Sequence, residues 1–146
     1  MKRFAASFLT ILLLFLSLSG CNSTSSATFL DGTYRAETSA QDTWGYRPYL
    51  IVTVQDGDVT EIEYDAVAED GTLKSKDAAL QSEMESVQGT YPDRYNSDLE
   101  NQYMEHQNIE NVELVAGATE SSHAFKALFE ALIPHMRAGD TTTLIV

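Results

Sequence analysis

The 146-residue chain carries 9 Lys and Arg against 22 Asp and Glu, a formal net charge of −13, with one cysteine and three histidines. So acidic a surface repels phosphate backbones and anionic lipid head groups, which argues against a nucleic-acid partner. One cysteine allows no internal disulfide, and the length suits one compact domain once the ends are set aside.

Met1-Lys2-Arg3 precedes an apolar run from Phe4 to Leu18 that ends in Leu18-Ser19-Gly20-Cys21. This is the pattern of a lipoprotein signal peptide over residues 1–20, with cleavage before Cys21 and diacylglycerol and palmitate carried by the new N-terminal residue. A transmembrane anchor is the alternative, but the run is short for one and is interrupted by Ser7, Thr10 and Ser17. Loss of Lys2 and Arg3 leaves 7 basic against 22 acidic residues, or −15. Residues 21–30, with Asn22 to Thr28 all polar or small, read as a tether that holds a domain over residues 31–146 close to the membrane.

Gly32 to Thr38 reads as a first strand, with Tyr34 and Ala36 alternating against Thr33, Arg35 and Glu37. The loop from Ser39 to Pro48 holds Trp44 and Tyr46, which either cover a flat ligand or cap the core. Tyr49 to Gln55 and Val59 to Val67 are β-rich runs joined by the hairpin signal Asp56-Gly57. Leu50, Val52 and Val54 share one face, as do Ile62 and Tyr64, so Glu61, Glu63 and Asp65 are expected to point to water.

Asp77 to Ser86 reads as a helix with Leu80, Met84 and Val87 on one side, stopped by Gly89. Pro92 suits the first turn of a second helix reaching about His106, with Tyr95, Leu99, Tyr103 and Met104 on its inner side and His106 favouring the dipole at its end. Phe125, Leu128, Phe129, Leu132 and Met136 mark a third helix, which Pro134 should kink or end. Thr141 to Val146 is β-branched and returns as a last strand. The expected fold is a single α+β domain, a small antiparallel sheet with helices packed on one side.

Between the second and third helices, Val115-Ala116-Gly117-Ala118-Thr119-Glu120-Ser121-Ser122 has the composition of an anion cradle. Gly117 reaches backbone angles closed to other residues, and Ala116 and Ala118 keep little bulk from the main chain. Thr119, Ser121 and Ser122 can cap the helix that follows, whose unpaired N–H groups and positive dipole end suit a phosphate. An ordinary N-cap is the plainer reading. Arg47, Lys74 and Lys76 are further sources of positive charge, each by default a solvated side chain. No nucleophile–His pair, no separated carboxylate pair and no metal-ligand spacing stands out.

Val112-Glu113-Leu114-Val115-Ala116-Gly117-Ala118-Thr119-Glu120-Ser121-Ser122 resembles the signature of the FMN-binding domain family, in which Ser/Thr-Gly-Ala-Thr follows Val-Asp. Asp31-Gly32-Thr33-Tyr34, Gly45-Tyr46-Arg47-Pro48, Asp56-Gly57 and Gly71-Thr72-Leu73-Lys74-Ser75 extend the likeness to its bacterial surface-lipoprotein branch. The family also includes the flavin subunits of sodium-pumping NADH:quinone oxidoreductases and Rnf complexes. The resemblance implies an FMN site built from Glu113, Ala116, Gly117, Ala118, Thr119, Ser121 and Ser122. In covalently modified members the Thr at the position of Thr119 bears FMN through a phosphoester bond, attached by a flavin transferase that uses FAD. Glu113 replaces the family's Asp and Ala116 its Ser or Thr, and both departures bear on that attachment.

The implied function is an extracytoplasmic, membrane-anchored FMN lipoprotein that carries electrons from a membrane donor, rather than an enzyme with its own substrate. The alternative is a non-redox binding or adhesion lipoprotein that keeps the fold without the flavin. A pheromone precursor is a variant of it, since Phe15 to Gly20 resembles the tail of peptides that some Gram-positive lipoproteins release.

Overall fold

A computed structural model describes residues 28–146, so the signal segment, Cys21 and the tether up to Ala27 lie outside the described residues. Strands β1 (Gly32–Glu37), β2 (Arg47–Gln55) and β3 (Asp58–Val67) precede helices α1 (Ala78–Gln88), α2 (Pro92–His106) and α3 (Thr119–Ala138), and β4 (Leu144–Ile145) closes the chain. The sheet order is β3-β2-β1-β4. β1, β2 and β3 form an antiparallel meander, whereas β4 runs parallel to β1. The sheet is therefore mixed, not wholly antiparallel. A parallel neighbour needs a long crossover, and the helices between β1 and β4 provide it.

The hairpin at Asp56-Gly57 has φ of 54° and 86°, the left-handed pair that matches the twist of the strands it joins. Alternation then sends Tyr34, Ala36, Leu50, Val52, Val54, Ile62 and Tyr64 to one face, where they meet Leu99 and Tyr103 of α2 and the apolar stripe of α3. Tyr64 and Phe125 pack edge to face, with ring centroids 5.3 Å apart. Among the described residues little covers the other face. Tyr49 is buried there beneath the guanidinium of Arg35, 4.4 Å from its ring, and donates to Glu63 at 2.7 Å.

Phe29 and Leu30, within the segment read as tether, make contacts with the domain. Phe29 packs against the core, and the Leu30 N–H donates to the Met136 carbonyl at 2.8 Å.

Several expectations are corrected. Val87 does not share the buried side of α1 with Leu80 and Met84 but is 75% exposed. Pro134 does not end α3, which runs on to Ala138 and stops at Gly139 with φ of 69°. The proline and Glu130, whose carbonyl loses a partner, are both exposed, so that carbonyl is on the solvent side of the helix while Leu132 and Met136 remain packed. Asp65 is buried, unlike exposed Glu61 and Glu63. No helix among the described residues is long and apolar enough to cross a membrane.

Candidate functional site

The reason for Asp65's burial lies ten residues on. Its Oδ1 accepts from the N–H groups of Ala66 (2.8 Å) and Ser75 (3.1 Å), and its Oδ2 from the Ser75 hydroxyl at 2.5 Å. A buried carboxylate must have such donors, and together they fix the short 3-10 turn Lys74–Lys76. Lys74 is thereby turned inward and is 3% exposed, while Lys76 stays at the surface, 3.1 Å from Asp93.

Asp42 receives the buried ammonium. Its Oδ2 lies 2.5 Å from Lys74 Nζ, and its Oδ1 accepts from the N–H groups of Trp44 and Tyr46, both at 2.9 Å. The same carboxylate thus neutralises Lys74 and shapes the aromatic loop between β1 and β2. Trp44 and Tyr46 then part company. Tyr46 is buried and donates to Asp77 at 2.6 Å, a bond that with burial pushes its phenol up to about 12. Asp77, which also caps α1 by accepting from the Leu80 N–H at 3.0 Å, is held below its ordinary range chiefly by that cap.

The Gly117 turn closes the third side. Gly117 has φ of 79°, and a Cβ there would lie 2.4 Å from the Gln88 carbonyl oxygen at the end of α1. Glycine is required by contact with another helix as well as by the backbone angle. Ala118 is the N-cap of α3 and no side chain caps it, contrary to the capping roles expected of Thr119, Ser121 and Ser122. Ser122 faces inward, fully buried, where its hydroxyl donates to the Ala118 carbonyl at 2.8 Å and accepts from the Val115 N–H at 3.0 Å. It clamps the turn from behind. The N–H groups of Thr119, Glu120 and Ser121 have no acceptor among the described residues.

These pieces enclose a cavity of about 320 Å³ open to solvent. Thr43 and Trp44 form one wall, Met84 and Gln88 of α1 another, Gly117 to Ser121 a third, and Lys74 lies between them. Glu120 ties two walls together, accepting from the Thr43 hydroxyl at 2.8 Å and its N–H at 3.4 Å. Tyr64 anchors α3 from below by donating to the Ser121 carbonyl at 2.8 Å.

Of the residues singled out from sequence, Gly117, Ala118, Thr119 and Ser121 line this cavity, and Trp44 and Lys74 join them. Ser122, Ala116 and Glu113 do not. Ala116 is exposed outside it, and Glu113 is held by its backbone, its N–H donating to Gln102 Oε1 at 2.7 Å, with its side chain exposed. Arg47 is half-buried and also lies outside it.

Sequence reasoning missed Asp42, Thr43, Glu120, Met84 and Gln88, and took Lys74 for a solvated charge. Asp42-Thr43-Trp44-Gly45 carries an Asx-turn signal that could have located the loop's anchor. Nothing local signals the rest.

The arrangement offers a buried cation, three amides without a partner among the described residues at the positive end of a 20-residue helix, and an indole plane around one cavity. That set fits an anionic ligand with a flat aromatic part. Comparison with known proteins points the same way. The model of the FMN-binding domain matches residues 44–133. The 15 kDa lipoprotein of Treponema pallidum (strain Nichols) is 34% identical over 115 residues, which cover 79% of this chain and 82% of that one. The crystal structure of the CPE2226 protein of Clostridium perfringens superposes with a TM-score of 0.76 at 33% identity, over 81% of this chain and 97% of that one. Trp44, Lys74 and the whole Gly117 turn fall inside the matched span, and the chain belongs to the FMN-binding domain family.

Proposed function

We propose that this protein is an extracytoplasmic lipoprotein, anchored through lipid on Cys21, that binds FMN in the cavity between Trp44, Lys74 and the Gly117 turn and relays electrons from a membrane donor. The observation that carries the reading is the convergence of Lys74 and the unpaired amides of Thr119, Glu120 and Ser121 on one cavity in a protein of charge −13. An acidic surface gathers no phosphate unaided, so local donors are needed, and here they coincide. Thr119 and Ser121 would hold the phosphate beside those amides, Lys74 would offer it the N–H donors that Asp42 leaves free, and Trp44 would cover the ring. FMN, when bound, supplies the electron chemistry, while the polypeptide positions it and sets the charge around it.

Glu120 favours a second reading. Its carboxylate stands in the first turn of α3, at the end where a phosphate would sit, and would repel one. The bond to Thr43 draws that carboxylate toward the aromatic loop, which reduces the conflict. A non-redox lipoprotein with this fold is the outcome if flavin fails to bind. The deciding measurement is titration of the mature chain with FMN and with riboflavin. Charge-assisted contacts to the phosphate are worth roughly 1.5 to 3 kcal/mol, so FMN should bind about ten- to a hundredfold tighter. Equal affinity removes the phosphate role from the turn. Mass spectrometry of membrane-extracted protein tests the anchor, which is refuted by an unmodified Cys21 or a retained leader.

A further inference from the structure

A second small space of about 10 Å³ lies among the polar side chains of Asp42, Asp65, Lys74, Tyr95, Asn96 and Ser121, closed by Pro48, Tyr64 and Ala66. Lys74 and Ser121 also border the candidate site, so they form the partition between the two. Tyr95, on α2, is 1% exposed, and its hydroxyl faces Lys74 and Ser121 without a well-formed hydrogen bond to either. A buried hydroxyl in that condition is costly, and a polar space of about 10 to 15 Å³ is the room one water needs. Lys74 has the complementary deficit. Its ammonium carries three donors and Asp42 Oδ2 accepts one of them, while the side chain is 4% exposed.

We propose that this space holds one ordered water that accepts from Lys74 Nζ and is hydrogen-bonded to the Tyr95 hydroxyl. Tyr95 is then a positioning residue: with Asp42 on one side and the water on the other, the ammonium is held at the partition, toward the candidate flavin site. The inference deepens the flavin reading and rests on it only for the ligand. The Tyr95 phenol, neutral at physiological pH and raised further by burial, serves as hydrogen-bond donor and acceptor without adding a charge.

Two measurements on the mature chain test this. A high-resolution crystal structure should show a water within hydrogen-bond distance of both Tyr95 Oη and Lys74 Nζ, and Tyr95→Phe should lose it. A double-mutant cycle reads the consequence. Tyr95→Phe should weaken FMN binding roughly three- to tenfold in the native background, and should have no further effect in Asp42→Asn/Lys74→Met, which removes the ion pair but keeps an acceptor for the loop. Absence of the water, or the same loss in both backgrounds, overturns the proposal, the latter because it marks a general packing effect. A native chain that binds no FMN would refute the flavin reading instead, and the crystallographic result would still decide the water.

Discussion

Asp42 and Lys74 form an ion pair of 2.5 Å between loop and 3-10 turn, with side chains 7% and 4% exposed. Removing one member leaves a buried charge without compensation, which typically costs about 3 to 5 kcal/mol. Lys74→Met should therefore destabilise the fold by about that much in urea unfolding. Asp42→Asn/Lys74→Met should recover a large part of it, because neither position then holds an uncompensated buried charge. FMN affinity should stay low in both. Equal stability of the single and double variants would show that the pair contributes no mutual compensation.

Gly117 separates two effects that sequence alone merges. The residue was expected to admit an anion to the main chain, yet its missing side chain leaves room for the Gln88 carbonyl. Gly117→Ala should cost about 1 to 2 kcal/mol for the left-handed backbone angle alone, with the clash added. It should weaken FMN as well, by displacing the turn from α1. A stable Gly117→Ala protein with native FMN affinity would contradict this account.

Glu100, on α2, gives a pH signature. Its Oε1 accepts from the Tyr64 N–H at 2.7 Å, and burial, aided by Glu63, Asp65 and Asp93, raises its pKa to about 7 despite that bond. A carboxyl whose folded pKa exceeds its unfolded value binds more protons in the native state, so its contribution to stability falls as pH rises from about 4.5 to 7. Glu100→Gln keeps an acceptor for Tyr64 and cannot ionise. The variant should be the more stable one above pH 7 and should lose that part of the slope, compared by denaturant unfolding across the window. Identical slopes would mean that Glu100 titrates normally.

Thr119 is exposed at the first position of α3, and its hydroxyl has no partner among the described residues. An attaching enzyme could reach it. Co-expression with a bacterial flavin transferase should leave FMN mass on a denatured peptide containing Thr119, and Thr119→Val should abolish it. Flavin that binds in the native state but is released on denaturation would reduce Thr119 to a phosphate ligand. Ala116 lies outside the cavity, so if Ala116→Ser restores attachment, the lost hydroxyl serves the transferase, not the bound FMN.

Strand and helix extents were legible because alternation and helical periodicity are written within a few residues. Tyr34 and Ala36, Leu50 to Val54, and Phe125 to Met136 take the faces their spacing assigns. The same holds for Asp56-Gly57 and for Gly117, where a left-handed angle marks a turn wherever the rest of the chain goes. Periodicity also has a local failure: Val87 satisfies it, yet α1 is covered only on the side of Leu80 and Met84.

What surrounds the candidate site depended on contacts made across the chain. Lys74 could be buried only because Asp42 stands 32 residues earlier, and its turn holds its shape only because Asp65 accepts from Ser75. Glu120 reaches Thr43 across 77 residues, and Ser122 turns inward because the Val115 N–H needs an acceptor. Residue type and spacing thus determined the elements, the turn and the family signature. Which polar groups were withdrawn from water was decided only by folding, because burying a charge or hydroxyl depends on a partner that no local pattern specifies.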